Sequence, residues 1–290
     1  MESETTGQEV AIRAKRHVTR AITQVSRRSV LAGLAAGAGL GAVMPAIPAP
    51  ARAAAPKKHV FLLVHGAWHG GWSYGPVERY LAGDGHRVLR PTLTGLAERS
   101  HLLDGDITLD THITDIVNLI QWENLENVVL CGHSYGGWVI GGVAERLLPR
   151  ISSIVFLDAY IPQDGRAFVD SLPRATRTAV RRLARQGALS IPPPPARTFK
   201  LNTAHLAWVD SKLTAQPIRT WLQQIRVTGA QYRVPKKTYI RASGFNSPAF
   251  RDIHARLKRN PAWRTYEMPC GHDAMIDMPE RLAEILAEVA

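Results

Sequence analysis

The chain has 290 residues, 45% of them hydrophobic and 21% charged, which excludes a disordered protein and fits one large or two small globular domains. Its formal net charge is +12. No dense basic cluster with interleaved aromatics accompanies that charge, so it reads as solvated surface and no nucleic-acid partner is expected.

Residues 1–53 read as an address and not as part of the fold. A polar, basic lead runs to Ser26-Arg27-Arg28-Ser29, a weakly apolar Ala/Gly/Leu run follows over 32–44, and Ala51-Arg52-Ala53 supplies the small residues a signal peptidase reads. The paired arginines resemble a twin-arginine export signal. Cleavage is expected near Ala53, with the mature chain working in the periplasm or outside the cell. The apolar run is too short to span a bilayer, and no cysteine follows it, so no stable membrane anchor is expected. This segment holds seven of the Lys/Arg and three of the Glu, leaving 29 basic against 21 acidic residues in the rest.

The remainder, 54–290, alternates strand and helix. His59-Val60-Phe61-Leu62-Leu63-Val64 is a continuous apolar run, as a buried parallel strand should be. It opens into the glycine-rich loop His65-Gly66-Ala67-Trp68-His69-Gly70-Gly71-Trp72. A helix over 74–82, stopped at Gly83-Asp84-Gly85, leads to a strand over 86–93. A helix over 109–122 carries Ile113, Ile116, Val117 and Ile120 on one face. The run Val128-Val129-Leu130-Cys131 follows as a strand, and the next strand, over 151–158, ends on Asp158. This rhythm predicts an α/β fold with a mostly parallel, doubly wound sheet. It breaks over about 162–234, where arginines crowd 174–185 and Pro192-Pro193-Pro194-Pro195 interrupts; helical patches return at 204–213 and 217–227. That stretch reads as an inserted helical cap. A strand over 237–242, a helix over 247–258, a strand over 263–268 and a helix over 279–289 complete the chain. Cys131 and Cys270 are both expected within strands, as reduced core residues.

The chemistry centres on Gly132-His133-Ser134-Tyr135-Gly136, set between an apolar strand and a small-residue helix. That is the sequence form of a nucleophile elbow, with Ser134 as the nucleophile. A serine needs an adjacent base, and His272, on a loop after the last strand, is the best candidate. His133 is expected to be turned away from the serine hydroxyl. His65 and His69, four apart on a glycine-rich loop, do not make a metal pair. Backbone N–H groups of Tyr135 and Ala67 are the expected oxyanion donors. Asp158 is the expected carboxylate orienting His272, since its strand follows the nucleophile unit. A structural aspartate capping a turn is the competing reading, with Asn246 or a carboxylate elsewhere taking the role. Asp252 and Asp273 look poorly placed for it. Trp68, Trp72, Tyr135, Trp138, Trp208 and Trp221 are aromatic candidates for pocket walls, though a residue of this kind is more often core than pocket.

Over 57–290 these residues resemble the α/β-hydrolase superfamily. The segments His65-Gly66-Ala67-Trp68-His69-Gly70-Gly71-Trp72, Gly132-His133-Ser134-Tyr135-Gly136-Gly137 and Gly271-His272-Asp273-Ala274-Met275 are similar to the plant methyl-salicylate esterase and hydroxynitrile lyase branch. Pro91-Thr92-Leu93-Thr94-Gly95-Leu96-Ala97-Glu98-Arg99-Ser100-His101 is similar to its bacterial esterase relatives. The resemblance implies an enzyme without cofactor that cleaves small, partly apolar carboxylic esters. The plant members carry their acid after the strand matching 238–242, where this chain reads Ser243-Gly244-Phe245-Asn246. The lyases carry a lysine after the catalytic histidine and a threonine in the oxyanion loop; here those positions are Asp273 and Ala67. Lyase-like chemistry, carbon–carbon hydrolysis and non-catalytic binding of a small ligand are the alternatives.

Overall fold

Strand β1 (Val60–Val64) separates two apolar cores: Leu62 and Val64 belong to one, Phe61 and Leu63 to the other. This two-sided burial is why the strand is apolar without alternation. The structure, a computed structural model, describes residues 58–290; the expected export signal lies outside the described residues. In chain order follow α1 (Gly75–Gly83), β2 (Arg87–Leu89), α2 (Leu109–Trp122), β3 (Val128–His133), α3 (Gly136–Leu147) and β4 (Ile151–Leu157). Next come α4 (Arg174–Arg185), β5 (Ser190–Ile191), α5 (Leu206–Asp210), β6 (Gln216–Pro217) and α6 (Arg219–Leu222). The chain closes with β7 (Lys236–Ala242), α7 (Pro248–Lys258), β8 (Arg264–Met268), α8 (Ala274–Asp277) and α9 (Pro279–Glu288).

Six strands form one sheet in the order β2-β1-β3-β4-β7-β8, and each neighbouring pair is parallel. The parallel α/β fold is therefore the one the sequence rhythm predicts. From β1 the chain first adds β2 on one side, then returns to add β3 on the other. Such a reversal leaves a crevice at the carboxyl ends of β1 and β3, the usual place for a ligand in an open α/β sheet. Helix α2 buries Leu109, Ile113, Ile116, Val117 and Ile120 against one face of the sheet. On the other face α1 and α9 contribute Val77, Leu81, Leu282 and Ile285.

Three expectations need correction. The second strand is only three residues long, because Pro91 has no N–H for a ladder and the residues after it bind the β1 loop. There Thr92 Oγ1 accepts from Gly71 N–H at 2.8 Å, and Leu93 N–H donates to His65 Nε2 at 3.0 Å. Cys270 is not in a strand, since β8 ends at Met268 and Pro269 follows; both cysteines are nonetheless free and buried. The helical patch over 217–227 shrinks to the single turn of α6. Beyond it, Gln224 bridges Ala167 and Ile225 exchanges backbone bonds with Gly165 and Arg166, so helical pairing is replaced by extended pairing.

Between β4 and β7, short helices and the antiparallel β5–β6 pair lie against the carboxyl end of the sheet. Trp68 is held there three times. Its N–H donates to Gln216 Oε1 at 3.1 Å, its indole N–H to the Ile191 carbonyl at 3.0 Å, and its carbonyl accepts from Thr214 N–H at 3.0 Å.

The elbow packs backbone against backbone. A Cβ on Gly136 would lie 2.7 Å from the His65 carbonyl oxygen and 2.8 Å from that of Val64, and one on Gly132 would lie 2.6 Å from the Gly136 carbonyl oxygen. Neither neighbour is a movable side chain. Gly136→Ala should destabilise the protein by about 1–3 kcal/mol, the usual range for overpacking. Urea unfolding of wild type and variant measures it, and an unchanged midpoint would contradict the packing described.

Candidate active site

Ser134 follows β3 with φ 52°, a left-handed conformation that non-glycine residues adopt only when surrounding structure imposes it. Its N–H donates to the Leu157 carbonyl at 3.1 Å, and its own carbonyl accepts from Gly137 N–H at 3.1 Å. The turn is thus fastened to β4 on one side and to the start of α3 on the other. Ser134 lines a cavity of about 410 Å³ together with Ala67, His69, His133 and His272.

His272 Nδ1 donates to Asp158 Oδ2 at 2.6 Å, a short charge-assisted bond. Asp158 stands one residue beyond β4, fully buried, with φ 42°. Its N–H donates to the Ile240 carbonyl at 2.6 Å, and its second carboxylate oxygen accepts from Ala242 N–H at 3.1 Å. Burial raises the Asp158 carboxyl above its ordinary value, opposed by the bond and charge of His272 and by the Ala242 N–H. Asn246 lines the cavity, while Asp252 is exposed beside Arg251 at 3.5 Å. Phe245 and Phe250 stack on the His272 ring at 4.4 Å and 5.5 Å between centroids, fixing its plane. The His272 N–H is held by the Phe199 carbonyl at 2.8 Å.

The loop after β1 is fixed by its own histidines. His65 Nδ1 donates to the Gly66 carbonyl at 2.8 Å while its Nε2 accepts from Leu93 N–H. One nitrogen donates and the other accepts, so the ring is neutral; burial, the dominant cause, brings it to about 3. The Gly66 carbonyl and the Ala67 N–H belong to one trans peptide, so anchoring the carbonyl directs the N–H to the opposite side. His133 packs 4.4 Å from the His272 ring and its Nε2 donates to the His272 carbonyl at 3.0 Å. Burial holds His133 well below its ordinary value.

Two residues that sequence reasoning set aside are buried together here. His69 Nε2 donates to Asp273 Oδ2 at 3.1 Å and its Nδ1 to the Ala67 carbonyl at 2.8 Å. Burial opposes charge on His69, but the Asp273 carboxylate overrides it and raises the imidazole above 6.5. Burial also opposes charge on Asp273, yet His69, with His133 and His272, brings it down to about 2. The detectable signal was local: an aspartate followed by Ala274-Met275-Ile276, all buried, needs a counter-charge. Among the aromatic candidates, Trp68 and Trp221 line the cavity. Trp72 stacks on His69, Trp208 packs on Trp72, and Tyr135 and Trp138 are core. Phe168, Phe199, Phe245 and Phe250 also line it, and the sequence reading missed them. Among the described residues no cluster of three or more His, Cys, Asp or Glu is arranged to hold a metal ion.

A sequence model of the alpha/beta hydrolase family matches residues 61–285. The chain belongs to that family. It is 41% identical over 236 residues to a carbendazim hydrolyzing esterase of Nocardioides sp., a match covering 78% of this chain and 98% of the relative. Salicylic acid-binding protein 2 of Nicotiana tabacum is 35% identical over 106 residues, 36% of this chain and 40% of that protein. An extracellular alpha/beta-hydrolase from a Paenibacillus species has the same fold, with TM-score 0.71 at 22% identity over 80% of this chain and 99% of its own. Family and fold are those the motifs of this hydrolase pointed to, and the plant branch is among its relatives.

The buried pair has a defined pH window. Asp273 holds its charge to about pH 2 in the fold but would protonate near 3.8 when unfolded, so its stabilisation is present above 3.8 and lost toward 2. The raised His69 stabilises fully below 6.5 and loses its contribution as pH rises through its folded value. Wild type should exceed Asp273→Asn in stability by about 3–5 kcal/mol within that window, the usual penalty for breaking a buried pair. Urea unfolding across pH should show the difference shrinking at both ends.

Proposed function

We propose that the enzyme hydrolyses small carboxylic esters through an acyl-enzyme on Ser134, with His272 as general base and Asp158 as its orienting carboxylate. The class, a carboxylic ester hydrolase, is carried by the family and by a full-length relative named an esterase. The observation that carries the mechanism is the 2.6 Å bond from His272 Nδ1 to Asp158, on a histidine that shares a cavity with Ser134. With Nδ1 committed to Asp158, Nε2 is the nitrogen left to take the serine proton.

Ser134 Oγ attacks the ester carbonyl while His272 accepts its proton. The oxyanion that forms is met by the Ala67 and Tyr135 N–H groups; the second also lies at the start of α3, whose dipole favours negative charge. Collapse expels the alcohol, which takes the proton from His272. Water then repeats the sequence on the acyl-enzyme, releasing the acid and restoring Ser134. The segment over 162–234 acts as a cap that shapes the substrate site. Its Phe168, Phe199 and Trp221, with Trp68 and Phe250, give the cavity aromatic walls suited to an ester with one ring or a short chain. Arg27-Arg28 and the small residues ending at Ala53 support export of the folded chain.

Hydrolysis of p-nitrophenyl acetate and butyrate tests this reading. Ser134→Ala should lose turnover, and Asp158→Asn should lose about a hundredfold or more, the scale seen for orienting carboxylates. Full activity in folded Asp158→Asn would remove Asp158 from the mechanism, and a folded wild type without turnover would remove the mechanism itself.

A further inference from the structure

His69 is enclosed by groups that accept protons in hydrogen bonds. Its Nδ1 faces the Ala67 carbonyl at 2.8 Å and its Nε2 faces Asp273 Oδ2 at 3.1 Å. A carbonyl and a carboxylate cannot donate, so both ring nitrogens carry protons and the ring is an imidazolium. Its counter-charge, Asp273, is fully buried, with His133 Nε2 at 3.7 Å from its other oxygen. The pair therefore joins two loops that are 204 residues apart in sequence. One loop carries Ala67, and the other carries His272 immediately before Asp273.

We propose that the His69–Asp273 ion pair ties the oxyanion loop to the histidine loop, setting the spacing between the Ala67 N–H, Ser134 and His272. This inference rests on the esterase reading above. His69 and Asp273 are positioning residues, acting through Ala67 and His272. A short tie matters because an oxyanion donor contributes only at hydrogen-bond distance, and a displacement of about 1 Å can lower the rate about a hundredfold. The pair also settles a charge problem. An isolated carboxylate next to the base would repel the developing oxyanion, whereas His69 neutralises it and lines the cavity itself.

The test uses the full chain with p-nitrophenyl butyrate, a trifluoromethyl ketone as oxyanion-forming inhibitor, and thermal melts. His69→Gln and Asp273→Asn should each lower kcat about ten- to a hundredfold and weaken the ketone by a similar factor, with KM within about threefold. The double variant should fall no further than the worse single one, because either change cuts the same tie. A merely structural role would lower the melting temperature without this split between KM and inhibitor binding. Should Asp273→Asn not fold, Asp273→Glu and His69→Asn carry the same comparison; the latter keeps a short amide donor near the Ala67 carbonyl. Folded variants with wild-type kcat and ketone inhibition, or losses that multiply in the double variant, would overturn the inference alone. A wild type without turnover would overturn it together with the esterase reading.

Discussion

The close approach of the elbow to the end of β1 is the constraint on which the site depends. Gly136 sits where any side chain would strike the His65 and Val64 carbonyls, so β3, α3 and the β1 loop meet backbone to backbone. Two residues before that contact, Ser134 is held at φ 52°. Because the sheet is parallel, every strand delivers its carboxyl end to the same edge. The β1 loop, the elbow, Asp158 and the histidine loop therefore converge without any long-range excursion of the chain.

Around that contact the atoms facing His65 and His69 set the protonation state of each ring. His65 is neutral between a donor and an acceptor, and His69 is charged between two acceptors. His272 donates its Nδ1–H to Asp158 in a hydrogen bond. Two imidazoles of the same intrinsic chemistry, His65 and His69, thus hold different charges within one crevice. The difference comes from which atoms face each nitrogen, with burial making a wrong assignment expensive.

Much of this was legible in the sequence, and for identifiable reasons. β1, α2 and the elbow announce themselves because two-sided burial, a helical apolar stripe and a close-packed turn each force a residue pattern. Asp158 could be singled out because a strand end has a known direction in a parallel sheet. His69 could not be read, since its spacing from His65 says nothing of a partner 204 residues away. The aromatic shell around His272 escaped for the same reason: Phe199 comes from one segment, Phe245 and Phe250 from another, and their meeting at the ring is a tertiary event. Between β4 and β7, helical composition misled because partner segments captured the backbone groups of 224–225.

The hold of Phe199 on the histidine loop limits how the pocket can diversify. The Phe199 carbonyl fixes the His272 N–H, and a Cβ on Gly271 would lie 2.2 Å from the Lys200 carbonyl oxygen. One pocket wall is therefore also the mount of the base, and redrawing the backbone there disturbs the chemistry along with the shape. Leu172, Pro173 and Thr176 also line the cavity, without such a bond to His272. Adaptation to a new ester, by natural drift or by a designer's library, has its freest ground at those three positions.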